Sequence, residues 1–137
     1  MTEYMTITAD LVGEDDRLLF LPRIFGVLRM TEAEALTYAY MSKLSADYRG
    51  AYWHFYQLSN GGFYMAPDGQ DRYGLEWDGN GYSGEVSADA AGLIATLFML
   101  GHMHEKHGGD DLAQLYHYVR DYAFLHPENE QITAALD

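Results

Sequence analysis

The segment His102-Met103-His104-Glu105-Lys106-His107 crowds three imidazoles and a carboxylate into six residues, the side chains that bind zinc and move protons. Its spacing departs from the zinc-protease helix. His-Glu-x-x-His sets two imidazoles one turn apart on one face, whereas His104-Glu105-Lys106-His107 has one residue fewer between them. Three-residue spacing still lets His104 and His107 share a face, so a metal-dependent hydrolase built on His102, His104 and His107 stands as the alternative function. The competing account, which the sequence favours, places these histidines at a helix C-terminus, where they meet the negative end of the dipole and cap free carbonyls.

Other constellations carry less chemistry. Ser59, His54 and an aspartate can be drawn as a hydrolytic triad, yet no nucleophile-elbow sequence surrounds any serine. Gly79-Asn80-Gly81-Tyr82-Ser83-Gly84 mimics a phosphate loop but lacks its lysine and precedes a strand signal, so the glycines read as turn residues. Tyr52, Trp53, Phe55, Tyr56, Phe63 and Tyr64 could form a stacking platform for single-stranded nucleic acid. Arg49 and Arg72 are the only cations near them, which favours core packing and a protein interface. The 21 acidic residues against eight basic ones give a charge of −13, which repels phosphates and argues against direct nucleic-acid binding. The same charge attracts a basic protein surface, although solubility alone also accounts for it.

The elements that must position these residues follow from periodicity and punctuation. At 137 residues, 48% apolar and without cysteine, the chain is expected to form one domain over residues 1–137 that is stabilised by packing. A basic start and apolar run of a signal peptide are missing, and Ala90 to Leu100 is too short to span a bilayer, so a soluble, cytoplasmic protein with no membrane association is expected. Glu14-Asp15-Asp16 and Leu18 to Leu21 start a short helix that Pro22 ends or redirects, and Arg23 to Gly26 reads as a packed turn. Thr31-Glu32-Ala33-Glu34 is a capping box that opens a helix to about Ala46, with Leu36, Tyr40 and Leu44 as its buried stripe. Four short runs follow: Tyr52 to Leu58, Phe63 to Ala66, Tyr73 to Trp77 and Tyr82 to Val86. Ser59-Asn60-Gly61-Gly62, Pro67-Asp68-Gly69 and Asp78 to Gly81 join them into a four-stranded antiparallel meander. Ser87 caps a buried helix ended by Gly108-Gly109, Asp110-Asp111 opens an amphipathic helix that stops before His126-Pro127, and a short helix from about Pro127 docks through Ile132 and Leu136. The sum is an α+β fold, the meander packed with four or five helices.

Four blocks in order, Phe20 to Gly26, Leu44 to Tyr48, the aromatic hairpin Tyr52 to Pro67, and Gly79 to Gly92, resemble the ArdB/KlcA antirestriction family over nearly the whole chain. The resemblance implies a protein of plasmids and other mobile elements that relieves cleavage by type I restriction-modification enzymes when the element enters a new bacterial host. It implies no catalytic residue, cofactor or metal, and as partner either the restriction enzyme or a host factor controlling it. Gln57 stands where the family pattern has Glu, so a charge there is not required by the resemblance. The residues nominated for interaction are Trp53, His54, Tyr56, Asn60, Tyr64, Asn80, Glu85 and Asp89. One mechanism is DNA mimicry, which the short acidic clusters support weakly because DNA carries a charge about every 1.7 Å. A second mechanism is indirect action on a host component that controls restriction, with the aromatic hairpin and the neighbouring Gly-rich turn as the surface; contacts other than full mimicry are preferred, and exposed aromatics would also permit a homo-oligomer.

Overall fold

The computed structural model describes residues 6–137. The chain forms, in order, β1 (Ala9–Leu11), a 3-10 turn (Glu14–Asp16), α1 (Arg17–Phe25), α2 (Val27–Leu44), β2 (Tyr52–Leu58), β3 (Phe63–Asp68), β4 (Arg72–Trp77), β5 (Tyr82–Ser87), α3 (Ala88–His107), α4 (Asp110–Leu125) and α5 (Asn129–Leu136). The architecture is α+β, as the sequence pattern requires.

The strands do not make one meander. β1, β2 and β3 form one antiparallel sheet in that order, and β4 and β5 form a separate antiparallel pair. Helix α3 is the physical reason. Phe55 accepts from Val12 on the β1 side, so Met65, its partner on β3, turns its own amide and carbonyl to the free edge of the sheet. Thr96 of α3 occupies that edge: its Oγ1 accepts from the Met65 amide at 3.1 Å and donates to the Met65 carbonyl at 3.4 Å. The free edge of β3 is thereby closed by a helix, and β4 pairs with β5 alone. Thr96→Val keeps the side-chain shape while stranding both buried groups. It is expected to cost about 2 kcal/mol, read as a lower urea midpoint at unchanged slope.

Helix α3 can sit this close because Gly92 has no side chain. A Cβ there would stand 2.3 Å from the Met65 carbonyl oxygen and 2.5 Å from the Ala66 Cα. Ala90 through Leu97, with Met99, Leu100 and Met103, are buried, and α3 packs against β3, α2, α4 and α5. It is the apolar axle of the molecule, which explains why its sequence has so little polar face.

The N-terminal third departs most from the sequence pattern. Pro22 lies inside α1 rather than ending it, and the expected turn Arg23 to Phe25 is helical. The helix tolerates proline because Leu18, whose carbonyl Pro22 cannot bond, lies on its exposed side, and the Gly26 amide bonds the Pro22 carbonyl at 2.8 Å. Gly26, at φ 79°, then lets α2 begin at Val27, so Thr31 falls within the helix and the capping box does not form. Glu34 instead accepts from the Tyr38 hydroxyl at 3.0 Å. The buried stripe of α2 is also rotated: Ala33, Thr37, Met41 and Leu44 are buried, while Leu36 and Tyr40 are flanking and half-buried. This face packs against α3.

Candidate functional site

Strand β2 alternates from Tyr52 to Tyr56, and the pattern breaks at its end, where Gln57 is exposed and Leu58 buried. Trp53 and Phe55 point into the core, and Tyr52, His54 and Tyr56 form a ladder on the outer face. Ring centroids along the ladder are 5.3 Å (Tyr52 to His54) and 6.3 Å (His54 to Tyr56) apart. Register then sets Tyr56 opposite Tyr64 on β3, where the rings stack at 4.8 Å, and Tyr122 of α4 stacks on Tyr64 at 5.6 Å. Tyr64 is thereby buried while its hydroxyl reaches Asp89 Oδ1 at 2.7 Å.

Asp89 sits in the first turn of α3, where the helix dipole favours its charge. Its Oδ2 accepts from His126 Nε2 at 2.9 Å. His126 Nδ1 in turn accepts the Glu128 amide at 3.0 Å, so in this arrangement the ring holds its proton on Nε2 and is neutral. Glu128 closes the circuit by accepting from both the amide and the hydroxyl of Ser87, the residue that caps α3 through the Ala90 amide. Burial works against the Asp89 charge, but the bonds from His126 and Tyr64 outweigh it and hold the carboxyl below the ordinary range. Burial and the Asp89 hydrogen bond push the Tyr64 phenol far above its ordinary value. A phenol so held is a fixed donor rather than a proton shuttle.

Beside this network lies an open cleft of about 250 Å³ whose walls include His54, Tyr56, Asp68, Asp71, Ser87 and Asp89. His54 Nε2 meets Asp68 Oδ2 at 2.9 Å. No lysine or arginine lines the cleft, so its chemistry suits hydrogen-bond donors and cations rather than phosphate.

The structure brings His54, Tyr56, Tyr64 and Asp89 together. The other nominated residues lie apart. Trp53 is buried and donates to the Tyr48 hydroxyl at 2.9 Å, so its indole serves the core. Glu85 is exposed on β5 in an ion pair with Arg72 at 2.9 Å. Asn60 and Asn80 perform the same task at two hairpin tips. Each accepts from the amide two residues on, and each donates to a distant helix: Asn60 to the Tyr118 carbonyl of α4, Asn80 to the Ala134 and Ala135 carbonyls of α5. Asn80→Ala is expected to cost about 1–2 kcal/mol and to speed amide exchange across α5 before the rest of the chain.

The histidine segment is a brace. His102 Nδ1 meets the Tyr40 hydroxyl at 2.8 Å, and His107 Nε2 and Lys106 Nζ both bond Glu32 of α2, at 2.8 and 2.5 Å. Bonds from Lys106 and His107 draw the Glu32 carboxyl down to about 2. His104 is exposed. Among the described residues no group of three or more His, Cys, Asp or Glu is placed to hold a metal ion, so the geometry gives the hydrolase alternative no support. Ser59, in the turn just past the end of β2, lies five positions from His54, a separation of about 17 Å along extended chain at about 3.3 Å per residue, and its Oγ accepts the Thr8 amide instead.

Sequence reasoning missed His126, Glu128 and Tyr122. His126 was legible only as the residue before Pro127 that stops a helix. Its partnership with Asp89, 37 residues earlier, leaves no local signal.

Residues 46–137 match the model of a family described as "Antirestriction protein". The chain is 49% identical to the antirestriction protein KlcA of Escherichia coli, over 99% of both chains. It is 42% identical to the putative antirestriction protein YubI of Escherichia coli strain K12, over 92% of this chain and 93% of that one. Its fold superposes with a TM-score of 0.91, at 50% identity and over 100% of this chain and 99% of the other, on a structure from work reporting that the KlcA and ArdB proteins show a novel fold and antirestriction activity against Type I DNA restriction systems in vivo but not in vitro. With matched strands, helices and length behind it, the chain belongs to the antirestriction protein family.

Proposed function

We propose that this protein relieves DNA cleavage by type I restriction-modification enzymes inside the cell, acting by protein contact and not as an enzyme. The observation that carries this reading is the match to KlcA along essentially the whole of both chains. Residues 1–137 act as one unit in this reading, in the cytoplasm where restriction occurs. No helix of the described residues is long and apolar enough to cross a membrane.

Relief by KlcA and ArdB in vivo but not in vitro supports a target that purified systems lack, a host component that controls the restriction enzyme. Wholesale DNA mimicry fits less well. The acidic groups here are short clusters, and several, including Asp89, Glu32 and Glu128, are spent on internal hydrogen bonds. Non-enzymatic action is supported by the same economy: Tyr64, Asp89 and His126 satisfy one another, and Asp89 alone of the three faces the cleft.

The test is the plating of unmodified phage on a type I restricting host with and without this gene. Relief of about tenfold or more in plating efficiency, absent on the isogenic host lacking the restriction enzyme, is expected. Unchanged plating despite good expression would rule the function out.

A further inference from the structure

Among the described residues, five of the eight large apolar side chains left exposed fall between positions 11 and 28: Leu11, Leu18, Leu19, Val27 and Leu28. Leu18 is 87% and Leu28 95% exposed, so the fold gains nothing from burying either. Exposed large apolar side chains concentrated in one stretch of chain, Leu18 and Leu19 adjacent on α1, point to an interaction surface. Its charges decide the partner. Asp15, Leu19 and Arg23 recur at four-residue intervals and so lie close to one face of α1 and the turn that leads into it. All three are exposed, and neither Asp15 nor Arg23 forms an ion pair among the described residues.

That stripe is self-complementary. Rotated about a two-fold axis through Leu19, it sets Asp15 of each copy against Arg23 of the other, with Leu19 meeting its own equivalent. The reverse, parallel arrangement would oppose like charges. We propose that two copies of this chain pair through α1, antiparallel about Leu19, with Leu18 packed beside the axis. The antiparallel sense also sets the acidic start of one α1, Glu14 to Asp16, beside the C-terminal end of the other, where Arg29 at the start of α2 adds a second cation. An anionic membrane fits the patch poorly, because a chain of charge −13 is repelled by it. The same charge opposes self-association at long range, so the local pairs must supply the specificity.

Sedimentation velocity of the purified full chain, from about 1 to 200 µM in physiological salt, reads the outcome directly. The mass should rise from 15.5 kDa toward twice that value across the range. Asp15→Arg and Arg23→Asp should each raise the dimer dissociation constant about tenfold, and the two together should return it to within about threefold of the parent. These positions are exposed, and circular dichroism verifies that the variants fold. A monomer at 200 µM, insensitivity to both single exchanges, or failure of the double exchange to restore pairing would each overturn the proposal, whatever the plating assay shows.

Discussion

Gly92→Ala should lower stability by about 3 kcal/mol, the upper part of the range for overpacking, and drop the melting temperature by roughly 10 °C. The added methyl would lie 2.3 Å from the Met65 carbonyl oxygen, 2.5 Å from the Ala66 Cα and 2.7 Å from the Ala66 Cβ. Those atoms are backbone, or fixed to it, in a buried strand, so none can swing aside. Helix α3 and strand β3 must separate, which also lengthens the two bonds from Thr96 that close the sheet edge. Gly101 supplies the control on the same helix. A methyl there would find only Tyr116 Cε2, at 3.8 Å, and alanine's helix propensity should make Gly101→Ala neutral to about 1 kcal/mol stabilising. Thermal and urea unfolding of the two variants separate close packing from a general intolerance of change. Equal midpoints for Gly92→Ala and the parent would mean that α3 does not sit against β3 as described.

Asp89→Ala should cost about 2–4 kcal/mol. It strands the buried Tyr64 hydroxyl and the His126 Nε2 proton together, and removes a negative charge from the start of α3. Asp89→Asn should cost about half as much. Both neighbours donate to Asp89, and an amide can accept from His126 while donating to a rotated Tyr64 hydroxyl. The pH dependence has a defined sign. Because the Asp89 carboxyl is held below its unfolded value, its contribution is complete above about pH 4 and is lost as pH falls further. The Tyr64 phenol is displaced upward, so its contribution is complete below about pH 10 and declines above. The gap in melting temperature between parent and Asp89→Ala should therefore be constant from pH 6 to 8 and narrow between pH 4 and 3. A gap that stays constant to pH 3 would show that Asp89 stabilises by packing alone.

Strands and helices with strong local signals could be read from the sequence. Ser87 followed by Asp89, the glycine pairs after His107 and Leu58, and the alternation of β2 each state their structure within a few residues. What could not be read was contact between distant segments. The pattern of strands says nothing about which edges pair, and only the approach of Gly92 and Thr96 to Met65 divides the expected meander into two sheets. Thr31 through Glu34 make a correct capping box in the wrong place, because the break at Gly26 starts the helix five residues earlier. The candidate site was half legible. The tyrosines and His54 declared themselves as an aromatic strand, but nothing local linked Asp89 to His126, which read as a helix stop, until the fold set them 2.9 Å apart.

These placements also change what the candidate surface is. The network fixes the end of α3 against β3, α4 and the start of α5, and leaves outward only the ladder of Tyr52, His54 and Tyr56 with the cleft beside it. Nothing there resembles a run of phosphates. The proposed contact with a host component is tested most directly by DNA cleavage by a purified type I restriction enzyme titrated with this protein at up to about a hundredfold excess. The protein is expected to relieve restriction in cells, yet cleavage in the purified system should proceed at its normal rate throughout. Stoichiometric inhibition of the purified enzyme, competitive with DNA, would contradict it.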